Sequence, residues 1–324
     1  MPMATAVDPT FVPPVVQTQF IDSSPLLRAA DFAALRARAE EEGYLFFKQL
    51  LPVAEILRVR ADMLAVVARH GWRQPGQDAL GGLLDLDALN QVPDDDMRKD
   101  IGVSHAAYHD VQKLESFHRL PHHPALLALY RGLFGNQVFV HPRHIARMIT
   151  GHRAMHPTPM HQDFPLVQGS TNTWTCWFPL GDCPRELGAL TVLRQSHREG
   201  YIPIQPALGA GSITVQLCPN PETGQEVWVE GDFAIGDVLT FPCFTVHKAL
   251  PNQHPDQIRL SIDARYQAIS EPVEEKSLKP HCKLTWEEVY ADWPQNSIQY
   301  YWRDASPTLS PWDATLLQPA VRIC

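Results

Sequence analysis

The stretch MHQDF places a histidine and an aspartate, His161 and Asp163, at positions i and i+2. On an extended segment both side chains point to the same face of the backbone. An imidazole and a carboxylate side by side can occupy two coordination positions of a metal ion, or they can form a hydrogen-bonded pair on a loop. A second H-x-D, His254-Pro255-Asp256, shows how readily the spacing arises. The surrounding sequence must decide between the two readings.

His247 is the best candidate for a third ligand, because it ends the apolar segment DVLTFPCFTVH and precedes a turn. With His161 and Asp163 it would complete a set of two histidines and one carboxylate, which leaves positions open as in non-haem Fe(II) oxygenases. Taken alone, His247 could be a hydrogen-bonded core histidine. The pair at His254 and Asp256 lies in the polar segment NQHPDQ and is interpreted as a solvated loop.

Arg259 lies in the next predicted strand, IRLSIDARYQ. A guanidinium can donate two parallel hydrogen bonds to one carboxylate. Ser261 faces the same side of the strand and could donate a third. Such a pair would bind the remote carboxylate of 2-oxoglutarate. Arg259 alone could be a surface or ion-paired residue, but the agreement of strand context, order and spacing favours one combined site.

The elements that would position these residues are helices followed by short strands. Ser24 can begin a first helix that Gly43 ends, a second helix is predicted over 53–70, and a third ends at Gly135. The segment YLFF after the first helix is predicted to be a buried strand. Residues 74–103 are predicted to be an irregular surface stretch.

After Gly135 the chain consists of short runs rich in Val, Ile, Thr, Trp and Phe, separated by turn residues. They are QVFVHPRHIARMI, TNTWTCWFPL, GALTVLRQSH, SITVQL, EVWVEG, DVLTFPCF and IRLSIDARYQ. This pattern predicts an antiparallel sandwich or jelly-roll barrel. We expect a flexible arm over 1–24 and one domain over 25–324. Within that domain we expect a helical part over 25–135, a β-barrel core over 136–267 and a C-terminal extension over 268–324.

The composition excludes several classes of function. The chain has 324 residues, 44% of them apolar, and a formal charge of −9, which argues against a nucleic-acid binder. No apolar run has the length of a membrane span, and the first residues lack a signal-peptide pattern. The six cysteines show no C-x-x-C spacing and favour reduced thiols in the cytoplasm. We therefore expect a cytoplasmic protein with a small-molecule partner, and the sequence predicts no oligomeric state.

The chain resembles the phytanoyl-CoA dioxygenase family of Fe(II)- and 2-oxoglutarate-dependent oxygenases over residues 42–266. The segments that carry the resemblance are EEGYLFFKQLL, TPMHQDF, WFPLGDCPRELGALTVLRQSHREG and VHKALPNQHPDQIRLS. Two positions depart from the usual family pattern. Leu187 stands where the family usually has Asn, and Gln195 stands where it usually has Gly. Neither belongs to the candidate ligand set.

The resemblance implies a double-stranded β-helix (jelly-roll) fold with flanking helices, Fe(II) as the metal, and 2-oxoglutarate and dioxygen as cosubstrates. It suggests that Trp177 lines the cosubstrate pocket, although a core aromatic is an equal reading. Arg147 or Thr158 could bind the inner carboxylate of 2-oxoglutarate. The implied site residues are His161, Asp163 and His247 for iron, and Arg259, Ser261, Trp177, Arg147 and Thr158 for 2-oxoglutarate.

The resemblance also implies a reaction, the hydroxylation of an unactivated C–H bond with release of succinate and carbon dioxide. Halogenating relatives lack the metal-binding carboxylate, so Asp163 favours hydroxylation, or a related desaturation or cyclisation. Residues 74–118 and the tail after Gln267 are expected to face the substrate. Two alternatives stay open: a zinc-binding barrel that hydrolyses or isomerises its substrate, and a non-catalytic cupin-like binding protein.

Overall fold

The computed structural model describes residues 15–218, 225–296 and 298–322. Seven of the ten described helices precede most of the strands, in the order that the sequence predicts. They are α1 Ser24–Arg28, α2 Phe32–Glu42, α3 Val53–Arg69, α4 Leu86–Leu89, α5 His105–Gln112, α6 Glu115–Arg119, α7 Pro124–Phe134, α8 Phe164–Val167, α9 Trp286–Val289 and α10 Tyr301–Ala305. Short 3₁₀ turns lie at Leu120–His122, Ser196–Glu199, Ala210–Ser212, Glu275–Leu278 and Ala314–Leu317.

The strands are short except for one long strand near the end of the core. They are β1 Val15–Thr18, β2 Leu45–Phe47, β3 Met97–Arg98, β4 Val103–Ser104, β5 Val138–Val140, β6 Ile145–Ile149, β7 Trp174–Pro179, β8 Leu190–Leu193, β9 Ile204–Pro206, β10 Ile213–Val215, β11 Glu226–Val229, β12 Val238–Pro242, β13 His247–Ala249, β14 Arg259–Ala268, β15 Val273–Glu274 and β16 Leu309–Ser310. Each of the seven apolar runs after Gly135 contains at least one of them.

Two sheets form a jelly roll, which confirms the predicted fold class. The larger sheet has the order β2-β12-β7-β14-β5, with β6 also paired to β14, and the smaller has the order β1-β11-β8-β13. Within the described residues the two sheets are not joined into one closed barrel. An isolated antiparallel bridge between His161 and His247 lies outside the larger sheet and brings these distant segments together.

Strand β14 separates the helical layer from the interior of the jelly roll. Its apolar side chains Leu260, Ile262, Ala264 and Tyr266 pack with the helices in the main hydrophobic core. Its alternate side chains point to the other face because strand residues alternate across the sheet. Those side chains are Arg259, Ser261, Asp263, Arg265 and Gln267, and all are buried. The strand therefore carries an unusual row of polar groups into the interior.

The helices cover the outer face of the larger sheet. Helix α3 contributes a buried stripe that includes Ile56, Met63 and Val67, and α7 packs against the same core. Gly43 ends α2 in the left-handed conformation at φ 81°, which explains the predicted stop. A side chain there would also meet His197, 2.6 Å from an added Cβ.

Two predictions about the first hundred residues need correction. The single helix expected from Ser24 to Gly43 is two helices, because Asp31 accepts a hydrogen bond from the backbone of Ala34 and begins α2 anew. Residues 74–103 are not wholly surface, since they bury Leu84 and Leu89 among others. These apolar side chains alternate with polar ones too irregularly for a periodic signal.

The predicted flexible arm over 1–24 lies partly outside the described residues. Where it is described, β1 pairs in parallel with β11 and does not form a free arm. Phe20 stacks on Phe46 at a centroid distance of 5.2 Å and so joins the chain to the core between the sheets. Hydrophobic contact outweighs the local proline-rich composition here.

Cysteine usage also differs from the expectation in one place. Four cysteines carry free thiols, at 176, 183, 243 and 282. Cys218 is in a disulfide, so the expectation of reduced thiols fails at this position. Among the described residues, no helix combines the length and the apolar character needed to cross a membrane.

Two buried histidines predict a stability that depends on pH. His118 Nε2 donates to the Gln112 carbonyl (2.9 Å), and His141 Nε2 donates to the side-chain oxygen of Gln267 (2.7 Å). Burial lowers the pKa of each to about 4. In the unfolded chain each histidine has the ordinary pKa of about 6.5. Between pH 6.5 and 4 the unfolded chain therefore binds more protons than the folded chain. The free energy of unfolding is therefore highest above pH 6.5 and falls as the pH is lowered towards 4.

At pH 5 we expect a loss of about 2 kcal/mol for each of these histidines relative to pH 7.5. Urea unfolding at the two pH values measures it. The variant His118→Gln removes one titrating group and should show a smaller difference between the two pH values. A free energy of unfolding that is equal at pH 7.5 and 5 in the parent protein would contradict the prediction.

Candidate active site

The structure brings His161, Asp163 and His247 together in the interior of the jelly roll. The candidate ligand atoms lie within 4.8 Å of one another, and this is the only group of its kind among the described residues. Asp163 Oδ1 is 3.7 Å from His161 Nε2 and 4.0 Å from His247 Nε2. All three side chains are buried. Their oxygen and nitrogen atoms face one point, as a metal site of two histidines and one carboxylate requires.

The backbone fixes the positions of both histidines. His161 N donates to His247 O and His247 N donates to His161 O, each at 3.0 Å, so the bridge holds the two residues directly opposite. Asp163 lies at the start of α8 with helical dihedral angles. The expectation of an extended segment thus holds at His161 and not at Asp163. The helical turn brings the carboxylate back towards the two imidazoles.

Each imidazole presents its Nε2 atom towards this point. His161 Nδ1 bonds the Pro159 carbonyl at 2.8 Å, and His247 Nδ1 bonds the Thr245 carbonyl at 3.0 Å. Because a carbonyl only accepts, Nδ1 carries the proton in both rings, which leaves Nε2 with a free lone pair. Burial and the neighbouring His247 lower the pKa of His161 to about 3, and burial lowers that of His247. Both rings are therefore neutral and able to bind a metal at neutral pH.

The second oxygen of Asp163 is held by two donors. Arg265 Nη2 donates to Oδ2 at 3.1 Å, and the hydroxyl of Thr175 donates to the same oxygen. Burial alone would raise the pKa of Asp163, but Arg265 and the two histidines outweigh it, and the pKa lies well below its usual range. Oδ1 is left for a metal. The donor set, the tautomers and the charge thus fit a divalent cation.

The hydroxyl of Thr175 offers a test that changes no charge. We expect Thr175→Val to weaken Fe(II) binding by about tenfold, because outer hydrogen bonds that orient a ligand carry about 10- to 100-fold in metal affinity. Thr173→Val is the matched control, since Thr173 donates to Gln267 at 2.9 Å and does not touch Asp163. Anaerobic calorimetry with Fe(II) measures both. Equal affinities for the two variants would mean that Thr175 does not position the carboxylate.

Arg259 lies in the same cavity as the three candidate ligands. It is 3% exposed, and its Nη1 donates to Ser261 Oγ at 2.6 Å. Its Nε has no hydrogen-bond partner, and no carboxylate of the described residues lies within ion-pair distance of it. Burial lowers the pKa of this guanidinium. A buried cation without a counter-ion is costly, so this position favours an anionic ligand.

The other predicted cosubstrate residues also line this cavity, with different availability. The Cζ atom of Arg259 lies over the indole ring of Trp177, 5.8 Å from the ring centroid. Trp177 Nε1 donates to Ser261 Oγ at 3.1 Å. Thr158 is buried and lines the same cavity as the three candidate ligands. Arg147 already pairs with Asp263 at 2.9 Å and donates to a backbone carbonyl at 2.6 Å. Of the two arginines, Arg259 is therefore the one with an N–H donor, at Nε, that has no partner among the described residues.

Several residues lie elsewhere than the candidate site. His254 and Asp256 are exposed on a turn, as the sequence predicts for the second H-x-D. His197 bonds the Glu40 carbonyl at 3.1 Å and supports α2. The aromatic residues of the tail form a cluster of their own around Trp286 and Trp302. Two larger surface clefts, of about 360 and 600 Å³, contain none of the three candidate ligands.

The sequence did not predict three residues that line or support the candidate site: Thr175, Asp263 and Arg265. The alternation of the strand could have indicated Asp263 and Arg265, because they lie on the same face as Arg259 and Ser261. Thr175 lies opposite Arg265 in the register of β7 and β14. The sequence carries no signal for that pairing.

Known proteins resemble this chain over most of its length. Two curated relatives named 1-deoxypentalenic acid 11-beta-hydroxylase, from Streptomyces arenae and Streptomyces exfoliatus, are each 27% identical to it. The alignments cover 78% of this chain and 86% of each relative. Among solved structures, the epimerase SnoN in complex with Fe3+, alpha ketoglutarate and nogalamycin RO aligns with a TM-score of 0.52 and 21% identity. It covers 76% of this chain and 86% of SnoN, and at this identity it supports the fold alone.

The family model described as phytanoyl-CoA dioxygenase matches residues 39–260. That range includes both histidines, Asp163 and Arg259, and it runs from the end of α2 into β14. The chain therefore belongs to the phytanoyl-CoA dioxygenase family, and it is an oxygenase of the Fe(II)- and 2-oxoglutarate-dependent class.

Proposed function

We propose that the protein hydroxylates an unactivated C–H bond of a small organic molecule. In that reaction one dioxygen molecule, 2-oxoglutarate and the substrate give succinate, carbon dioxide and the alcohol, so atoms and electrons balance. The observation that carries the proposal is the buried, unpaired Arg259 in the same cavity as His161, Asp163 and His247. A metal-binding triad and an anion-binding cation in one cavity match the two needs of such an enzyme.

Each residue has a separate role in this proposal. His161 Nε2, His247 Nε2 and Asp163 Oδ1 would hold Fe(II). The bound iron and cosubstrate supply the oxidising chemistry. Arg259 donates to the remote carboxylate of 2-oxoglutarate. The Ser261 hydroxyl accepts from Arg259 and from Trp177, so its proton is free to donate to the same carboxylate.

Three further residues would shape the cosubstrate pocket. Trp177 forms one wall and orients Ser261. Thr158 lies where it could donate to the inner carboxylate, and Arg147 could do so only while keeping its pair with Asp263. Thr158 is the better assignment for this reason. The buried side chains of these walls limit the access of water to the reacting atoms.

The relatives support the choice of hydroxylation. Both curated relatives are named as hydroxylases of a small molecule, 1-deoxypentalenic acid. Halogenating relatives lack the metal-binding carboxylate, so the presence of Asp163 supports hydroxylation over halogenation. Desaturation and cyclisation use the same site and are distinguished by the product. We place the enzyme in the cytoplasm, where its four free thiols stay reduced, and we assign it no nucleic-acid or membrane partner.

Succinate formation tests the proposal. The apo-protein is loaded anaerobically with Fe(II) and 2-oxoglutarate and then exposed to oxygen, and succinate is measured with time. We expect slow turnover that needs both Fe(II) and oxygen. Zn(II) in place of Fe(II) should give none. Activity supported by Zn(II) and independent of 2-oxoglutarate would identify a hydrolase or isomerase, and a failure to bind either ligand would identify a non-catalytic protein.

A further inference from the structure

A second cavity, of about 190 Å³, also borders the candidate ligands His161 and Asp163. It shares Arg147, His161 and Asp163 with the cavity that contains Arg259, and it does not include Arg259 itself. The two cavities therefore meet at His161 and Asp163. If 2-oxoglutarate occupies the first, the second is the remaining space from which a substrate can reach the metal.

The walls of this second cavity are partly apolar and partly cationic. Apolar surface comes from Ile145, Leu166, Val167 and Ala210. Four cationic side chains also line it, against two carboxylates. The cations are Arg143, Arg147, Arg265 and Lys276, and the carboxylates are Asp100 and Asp163.

Two of these cations are already neutralised. Arg147 pairs with Asp263 at 2.9 Å, and Arg265 pairs with Asp163 at 3.1 Å. Asp100 is itself taken by an arginine outside the cavity, Arg98. These ion pairs account for every carboxylate in the wall.

Arg143 and Lys276 are the two cations left over. Neither has a carboxylate of the described residues within ion-pair distance. Arg143 Nη1 donates only to the carbonyls of Lys276 (3.3 Å) and Pro280 (3.2 Å), which orient the guanidinium without neutralising it. Lys276 Nζ lies over the ring of Trp312 at the exposed rim.

The pKa of the neighbouring His281 is consistent with the same excess of positive charge. Its Nδ1 bonds the hydroxyl of Tyr108 at 2.8 Å. Burial and the nearby Arg143 and Arg98 hold the pKa of His281 well below its usual range. The ring is therefore neutral and adds no charge of its own. An anion entering here could pair with Arg143, which has no carboxylate partner among the described residues.

We propose that this second cavity binds the substrate, and that the substrate is an apolar small molecule carrying a carboxylate that pairs with Arg143, with Lys276 assisting at the rim. The inference rests on the proposed function and names the substrate class of the same site. Arg143 holds one end of the molecule, the apolar wall packs against its skeleton, and the C–H bond to be oxidised lies over the triad. Arg143 is thus a specificity residue for the substrate and takes no part in binding 2-oxoglutarate.

Matched acids and amides test the proposal. The probes are cyclohexanecarboxylate, adamantane-1-carboxylate and decanoate, each beside its uncharged primary amide. Binding to the protein loaded with Fe(II) and 2-oxoglutarate is measured by calorimetry without oxygen. We expect at least one acid to bind about tenfold or more tightly than its amide, since hydrogen bonds to a charged group are the strong ones. Failure of all three acids to exceed their amides would overturn the proposal.

Variants assign the preference to a residue. Arg143→Gln should lower the acid-to-amide ratio to about threefold or less, and Lys276→Gln should lower it in part. Arg58→Gln is the control, because Arg58 is an exposed arginine whose side chain is 64% accessible. An unchanged ratio in a folded Arg143→Gln protein would overturn the assignment. If that protein does not fold, an unchanged ratio in Lys276→Gln would do so, since Lys276 lies at the exposed rim.

The design separates this inference from the proposed function. Affinity for 2-oxoglutarate in the presence of Fe(II) is measured first in each protein, and we expect it to be the same in Arg143→Gln as in the parent. If the parent protein does not bind Fe(II) and 2-oxoglutarate, the proposed function fails. If it binds both and shows no preference for acids, only the substrate class fails.

Discussion

Replacement of Asp163 with alanine is expected to lower the affinity for Fe(II) by more than about 100-fold, because loss of a metal ligand costs more than loss of an outer hydrogen bond. The variant removes the only carboxylate among the three groups that converge on one point. It also leaves the buried guanidinium of Arg265 without its partner at 3.1 Å. Succinate formation should fall below detection, since the iron would no longer be held.

The second H-x-D supplies a control with the same spacing. Asp256→Ala removes an exposed carboxylate from His254-Pro255-Asp256 and should leave Fe(II) affinity and turnover unchanged. Anaerobic calorimetry gives the affinities and far-ultraviolet circular dichroism checks the fold. Fe(II) binding in a folded Asp163→Ala protein that stays within about threefold of the parent would show that the metal does not need this carboxylate.

Replacement of Arg259 with alanine is expected to raise the KM for 2-oxoglutarate by about 100-fold. The removal of one partner of a buried, hydrogen-bonded charge pair costs about 2–5 kcal/mol, and 2.7 kcal/mol is a factor of about 100. The affinity for Fe(II) should not change, because Arg259 makes no contact with the triad. Its contacts run to Ser261 and Trp177.

The conservative variant Arg259→Lys separates charge from shape. Lysine keeps the positive charge and loses the planar fork, so it should recover part of the affinity for 2-oxoglutarate and not all of it. Initial rates of succinate formation against 2-oxoglutarate concentration give KM and kcat for each protein. A KM unchanged in both variants, with normal turnover, would remove Arg259 from the cosubstrate site.

The sequence predicted the parts of this site that local pattern records. His247 follows an apolar strand and precedes a turn, and the structure has it at the start of β13. Arg259 begins β14, with Ser261 on the same face. The seven apolar runs became strands because β-branched and aromatic residues fit a half-buried pleated surface. Gly43 ends α2 because glycine adopts the left-handed conformation readily.

The sequence did not predict contacts that depend on pairing between distant segments. Thr175 and Arg265 meet at Asp163 because β7 and β14 pair in one register, and no local signal fixes that register. The strand pairing of residues 15–18 with β11 has the same origin. No motif in the sequence distinguishes Arg143 from the other arginines. Only the ion pairs of its neighbours reveal that it lacks a counter-ion.

The break between α1 and α2 is a local event that a periodic pattern conceals. Ala30 adopts φ 53°, and Asp31 then begins a new helix. The apolar spacing continues across the break, so a single helix was the simpler prediction. This error has no consequence for the site, because neither helix supplies a residue to it.

In the proposed enzyme, one cavity holds Fe(II) on the triad and 2-oxoglutarate on Arg259 at the same time. The most direct measurement is an anaerobic titration of 2-oxoglutarate into the Fe(II)-loaded protein, followed by visible absorption and by calorimetry. We predict a saturable metal-to-ligand charge-transfer band with one equivalent bound. The band should be absent in Asp163→Ala and should need about 100-fold more 2-oxoglutarate in Arg259→Ala. Tight Fe(II) binding with no band and no heat from 2-oxoglutarate in the parent protein would contradict the claim.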